Sequence, residues 1–107
     1  MLDTFRVPVP IRALITTKTT TTPVSGACYL FALLYNCTNA GTAWSLTIQD
    51  KASTPLVIYT LGTLVVSTVP VVIVSLTNPM LLIGGLDIIT GGTTAGALNI
   101  WGWATQP

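Results

Sequence analysis

The sequence predicts an all-β fold, an antiparallel sandwich of the jelly-roll type with seven or eight short strands. β-branched residues dominate the apolar segments 55–60 and 69–74, and such residues favour strands over helices. Residues 44–49 alternate between apolar and polar side chains, as expected of a strand with one buried face. Clusters of Gly, Ser, Thr, Asn and Pro separate these pieces and predict turns between them.

The predicted strands cover most of the chain. Segment 27–37 is almost entirely apolar, which predicts a central strand covered on both faces. The threonine-rich run 16–23 is expected to be a strand end followed by an exposed loop. We predict one domain, in which residues 1–24 form an extended arm and loop and residues 25–107 form the sandwich. The strands are expected at residues 10–18, 25–37, 43–50, 55–60, 69–76, 79–83, 85–90 and 97–104.

The charge content is unusually low. Charged residues make up 7% of the chain, against about 25% in an ordinary soluble domain. The surface must therefore be covered by neutral polar side chains, by partner protein or by lipid. Residues 52–86 carry no charge and are long enough to span a bilayer, but Pro55, Pro70 and Pro79 divide them into strand-length pieces. The net charge of +1 gives no general attraction to nucleic acid.

The side chains that carry acid–base catalysis are nearly missing. The chain has no His and no Glu, and its three Asp residues are far apart in sequence. General acid–base chemistry, metal ligation and phosphate binding each need a set of residues that this sequence does not supply. We therefore expect no enzymatic activity, no cofactor and no metal site.

The two cysteines, Cys28 and Cys37, fall within the segment predicted as a central strand. In one extended strand they would be about 30 Å apart, which is too far for a disulfide. We expect both to be small buried hydrophobic residues.

Five residues are candidates for contact with a partner: Trp101, Trp103, Arg6, Arg12 and Asp87. Trp101 and Trp103 share one face of the last strand, where they fill the core, form an interface or stack on a sugar. Arg6 and Arg12 belong to a basic amino-terminal stretch that either touches an acidic partner or is a solvated arm. Asp87 lies in an apolar strand. It is predicted to be a cation ligand, a partner contact, or a polar-face or loop-capping residue.

Three segments together resemble one class of protein. Residues 45–51 (SLTIQDK), 84–92 (GGLDIITGG) and 97–101 (ALNIW) are similar to small virion proteins of tailed bacteriophages, which are β-sandwich subunits of the head or tail. The resemblance covers about residues 25–104 and includes no catalytic motif. It implies a virion location, contacts with the major capsid protein or other virion subunits, and homo-oligomers, often trimers.

The expected function is that of a bacteriophage structural protein, a decoration or cement subunit that stabilises the capsid through packing between subunits. It would have neither nucleic acid nor membrane as a partner. The first residues lack the basic cap and apolar run of a signal peptide, so we expect assembly in the host cytoplasm. One alternative is a tail or fibre module that binds a host glycan through Trp101 and Trp103. The other is a small membrane protein.

Overall fold

The computed structural model describes residues 7–40, 44–66, 69–75, 77, 79–92 and 96–106. The all-β prediction is confirmed, because two antiparallel sheets pack as a sandwich and do not close into a barrel. The described residues form one strand more than the eight expected, and the additional strand is β2. The strands are β1 (Val7–Ile15), β2 (Thr19–Ser25), β3 (Cys28–Asn39), β4 (Ser45–Asp50), β5 (Leu56–Leu61), β6 (Val71–Val74), β7 (Met80–Leu82), β8 (Gly85–Gly91) and β9 (Ala97–Gln106).

The chain crosses repeatedly between the two sheets, although β4 and β5 follow each other in one sheet and β6 and β7 in the other. The five-stranded sheet has the order β1-β9-β3, with β6 and β7 pairing with successive parts of β3 on its other side. The four-stranded sheet has the order β2-β8-β4-β5. In the five-stranded sheet β1 lies beside β9 and β3 beside β6. In the four-stranded sheet β2 lies beside β8 and β4 beside β5. This arrangement is that of a double-sheet jelly roll.

The prediction of an exposed loop in residues 16–23 is wrong. Thr19–Ser25 form β2 and pair with β8, because β-branched threonines adopt extended backbone readily. The register shifts between Thr21 and Val24, so Pro23, which has no N–H to donate, lies at an irregularity of the ladder. Residues 7–24, which were expected to form an arm and loop, thus contribute β1 and β2 to the two sheets.

The core lies between the sheets. β4 illustrates how the sequence pattern builds it, because Leu46 and Ile48 are fully buried while the alternating Thr47 and Gln49 remain partly exposed. The hydroxyls of Tyr35 in β3 and Tyr59 in β5 are 2.8 Å apart and join the two sheets. The buried apolar residues are Ile11, Ile15, Val24, Cys28, Leu30, Leu33, Tyr35, Cys37, Trp44, Leu46, Ile48, Leu64, Val74, Leu82, Leu86, Ile88, Leu98, Ile100 and Ala104.

Candidate interaction surface

The outer face of the five-stranded sheet combines side chains from all of its strands. Alternate residues of each strand are buried in the core, so the residues between them point outward. The register aligns outward residues in rows, one of which runs from Arg12 through Trp101 and Leu34 to Val72. We name this surface the aromatic face, and it consists of Pro8, Pro10, Arg12, Leu14, Tyr29, Phe31, Leu34, Val72, Leu81, Trp101 and Trp103.

Three aromatic rings lie together on the aromatic face. The rings of Trp103 and Phe31 stack with centroids 4.6 Å apart and an interplanar angle of 8°. Tyr29 adds a tilted ring 6.5 Å from Phe31, and it pairs across the sheet with the exposed Leu81 of β7. A face of stacked rings buries a large apolar area with few rotatable bonds when a partner covers it.

Arg12 and Trp101, which were predicted as contact residues, are brought together by the pairing of β1 with β9. Both line a groove of about 750 Å³ formed by residues 10–14 and 99–102. Arg12 is exposed and is the one charged member of the aromatic face. Trp101 is half-buried and Trp103 is 37% exposed, whereas Trp44 is fully buried in the core.

The other two predicted contact residues are not on this surface. Arg6 lies outside the described residues. Asp87 belongs to the four-stranded sheet, where it is only 6% exposed and accepts a hydrogen bond of 2.6 Å from the hydroxyl of Thr22. Its carboxylate therefore joins β8 to β2 within the chain.

Asp50 is a structural carboxylate and is not one of the predicted contact residues. It is 3% exposed and lies at the end of β4. One carboxylate oxygen accepts the backbone N–H of Ile83 at 2.8 Å, and the other accepts that of Gly84 at 2.9 Å. These bonds fix the turn between β7 and β8, where the chain passes from one sheet to the other. The partners are more than thirty residues away in sequence, so no local signal identifies them.

The side of the sandwich formed by β5, β6 and β7 was not predicted as a site. Tyr35 pairs with Val71 of β6 and bonds to Tyr59 of β5, which places these two edge strands on the same side. Of the ten large apolar side chains exposed among the described residues, eight belong to residues 56–83, a segment without a single charge. We name this segment the charge-free edge, and its exposed members are Leu56, Val57, Val65, Val66, Val69, Val72, Leu81 and Ile83.

The sequence signal for this edge is the lack of charge in residues 52–86. The same signal describes a candidate membrane span. The structure instead divides this segment among strands β5, β6, β7 and the start of β8. In the part of the chain that the structure describes, no helix combines the length and the apolar character needed to cross a membrane.

The outer face of the four-stranded sheet has a different chemistry. One row runs from Thr20 through Ile89 and Thr47 to Thr60, and the hydroxyls of Thr47 and Thr60 are 3.3 Å apart. Apart from Ile89, the side chains of this row carry hydroxyl groups. We name this surface the hydroxyl face, and it consists of Thr20, Thr22, Ser45, Thr47, Gln49, Thr60, Asp87 and Ile89.

The thiols of β3 face the interior. Burial raises the pKa of Cys28, and the nearby charge of Asp50 raises it further. Burial also raises the pKa of Cys37, although a hydrogen bond with the backbone of Asn39 acts in the opposite direction. Both thiols are therefore protonated at neutral pH and poor nucleophiles. Among the described residues, no three His, Cys, Asp or Glu side chains come together as a metal site.

Comparison with known proteins gave no relative of this chain. No family model, no curated protein and no solved structure matches it. The resemblance of residues 25–104 to small virion proteins therefore stays a prediction.

Proposed function

We propose that this chain is a non-enzymatic structural subunit of a bacteriophage virion, which binds another virion protein through its aromatic face. The observation that carries the proposal is a sheet face of stacked rings and exposed aliphatic side chains on which Arg12 is the one charge. Interface centres are enriched in aromatic residues and Arg and depleted of other charged residues. The jelly roll is a fold of many capsid proteins, and this supports the setting by analogy alone.

Burial of the aromatic face is the source of affinity in this proposal. Each square ångström of apolar surface removed from water contributes roughly 25 cal/mol before the costs of association. The stacked Trp103 and Phe31 are ordered before binding, so a partner that covers them restricts few additional rotamers. Arg12, at the β1 end of the row, is positioned to orient the partner by pairing with a carboxylate.

The hydroxyl face is the solvent side of the subunit in this arrangement. Its threonine, serine and glutamine side chains can hydrogen-bond to water without carrying charge. The carboxylate of Asp87 accepts a hydrogen bond from Thr22 within the chain. The low charge content of the chain is then explained on both sides, since one face is covered by protein and the other is neutral but polar.

The test is a binding experiment with purified particles that lack the chain. Leu14→Lys places a charge at an exposed position of the aromatic face, and Thr20→Lys is the matched control at an exposed position of the hydroxyl face. We expect Leu14→Lys to weaken binding at least about tenfold, because an unpaired charge must be buried, while Thr20→Lys binds like the wild type. Equal binding of the two variants would contradict the proposal.

A second candidate function is glycan binding, and the groove beside Trp101 is the observation that favours it. Trp101, Arg12 and Asn99 are among the residues that line this groove, and sugars are bound by aromatic, guanidinium and amide side chains of these types. Titration with oligosaccharides, followed by tryptophan fluorescence, would then give a saturable change that Trp101→Ala removes. No change with any oligosaccharide would eliminate this candidate.

A further inference from the structure

We propose that β5 pairs edge to edge with β5 of a second copy of this chain, joining the two four-stranded sheets into one continuous sheet. The inference deepens the proposed function, because it names one partner of the structural subunit. It rests on β5, which contributes no residue to the aromatic face, so this inference and the proposed function can fail separately.

The first argument is that β5 is an open edge. Among the described strands it pairs with β4 alone, so the backbone groups on its other side have no partner strand. Leu56–Leu61 contains neither a charged residue nor a proline, and these are the usual means by which edge strands prevent pairing. Leu56 and Val57 are 65% and 51% exposed. An apolar, uncharged edge of six residues is a template for another strand.

The second argument is that the other edges are protected. Pro8 and Pro10 of β1 are two residues apart, so both remove an N–H donor from the same side of that strand. In an edge strand this is the free side. β2 contains Pro23 at its register shift, which removes an N–H donor. β5 also has a register shift, between Val57 and Tyr59, but it contains no proline. The remaining edge is divided between β6 and β7, which have only four and three residues.

The third argument identifies the occupant as a second copy. Two β5 strands related by a two-fold axis present the same open edge to each other, as an isologous contact requires. No charge repulsion opposes the contact, because residues 52–86 are uncharged in both copies. Six of the eight exposed apolar side chains of the charge-free edge lie outside the aromatic face and offer on the order of 400 Å². This is about half of what one partner contributes to a standard interface, and the backbone hydrogen bonds of the added strand supply the rest of the contact.

The test compares two leucines that are equally exposed. Leu56 and Leu14 are both 65% exposed, but Leu56 begins β5 and Leu14 lies in the protected strand β1. The wild type is expected to sediment as a dimer, with twice the monomer mass of 11.2 kDa, from micromolar concentrations upward. Leu56→Lys is expected to be a monomer at the same concentrations, and Leu14→Lys a dimer.

Hydrogen exchange of the wild type provides a second, variant-independent readout. The amides of β5 should exchange at least about tenfold more slowly as the concentration rises through the dimerisation range, while those of β1 should not change. A monomeric wild type, or a dimer that survives Leu56→Lys, would overturn the proposal. If Leu56→Lys does not fold, the exchange of the β5 amides decides the question alone. Leu14→Lys is expected to lose particle binding and yet remain a dimer, so failure of the proposed function remains distinguishable.

Discussion

The two outer faces of the sandwich use the same strand geometry and carry opposite chemistry. On the aromatic face, the central row pairs Arg12 with Trp101, Leu34 and Val72. On the hydroxyl face, the corresponding row consists of three threonines and Ile89. Both faces are nearly free of exposed charge, so charge content alone does not distinguish them.

Under the proposed function, this difference gives a protein with so few charged residues a solvent side and a binding side. Threonine hydroxyls keep one face hydrated, and they also favour the extended backbone that the sheet needs. The other face uses rings and aliphatic side chains, whose exposure to water is unfavourable until a partner covers them. Four predictions break or sharpen this comparison, from the largest expected effect to the smallest.

The largest effect is expected for Gly102→Ala, which would disrupt the aromatic face from within. A Cβ at Gly102 would collide with the carbonyl oxygen of Ala32, at the bulge of β3 that aligns Phe31 with Trp103. We expect the free energy of unfolding to fall by about 3 kcal/mol. The control is Gly62→Ala, because a Cβ at Gly62 meets no atom within 4 Å. Urea unfolding measures both, and equal stability of the two variants would contradict the close packing of β9 against β3.

Asp50→Asn is expected to destabilise the fold by about 2 kcal/mol, because one of two buried backbone donors loses its charged acceptor. Asp87→Asn, on the hydroxyl face, should cost about 1 kcal/mol, since its amide oxygen can still accept the hydroxyl of Thr22. Thermal unfolding of the two variants at one pH provides the comparison. The reverse order would mean that the turn between β7 and β8 does not depend on Asp50.

Trp103→Ala is expected to lower the free energy of unfolding of the isolated subunit by about 1 kcal/mol through loss of the stack on Phe31. Thr60→Ala, on the hydroxyl face, should change it by less than about 0.5 kcal/mol. We therefore expect the aromatic face to contribute modestly to folding, in keeping with its proposed role in binding. If Trp103→Ala prevented folding, the face would be a part of the core instead.

The fourth prediction concerns the free energy of unfolding at alkaline pH, and its effect at neutral pH is the smallest of the four. Burial and the hydrogen bond with Tyr59 raise the pKa of Tyr35, and burial raises that of Cys28. The folded state therefore holds these protons more tightly than the unfolded state, whose values are 10.0 for Tyr and 9.0 for Cys. This contribution is complete below pH 9.0 and is lost as the pH rises above it.

Urea unfolding at neutral and alkaline pH should show this loss, and Tyr35→Phe should reduce it while costing about 1 kcal/mol at pH 7 for the lost hydrogen bond. An alkaline loss that is unchanged in Tyr35→Phe would assign the effect to other groups.

The strands with clear alternation or β-branched runs were predictable from the sequence, because a single local pattern specifies each of them. β2 was missed, because threonines and Pro23 also describe a loop, and only the partner strand β8 settles the matter. Trp101 and Trp103 were recognised as a pair on one face, but the stack on Phe31 depends on a bulge in β3. The bonds of Asp50 to the backbone beyond β7 depend on long-range pairing, which no local pattern contains.

The most direct test of the central claim, that the aromatic face is the bound face of the subunit, is cryo-electron microscopy of purified particles that contain this chain. We predict that the rings of Trp103 and Phe31 lie against a neighbouring virion protein, and that Thr47 and Thr60 of the hydroxyl face point to solvent. A map in which the hydroxyl face makes the contact and the aromatic face is exposed would contradict the account.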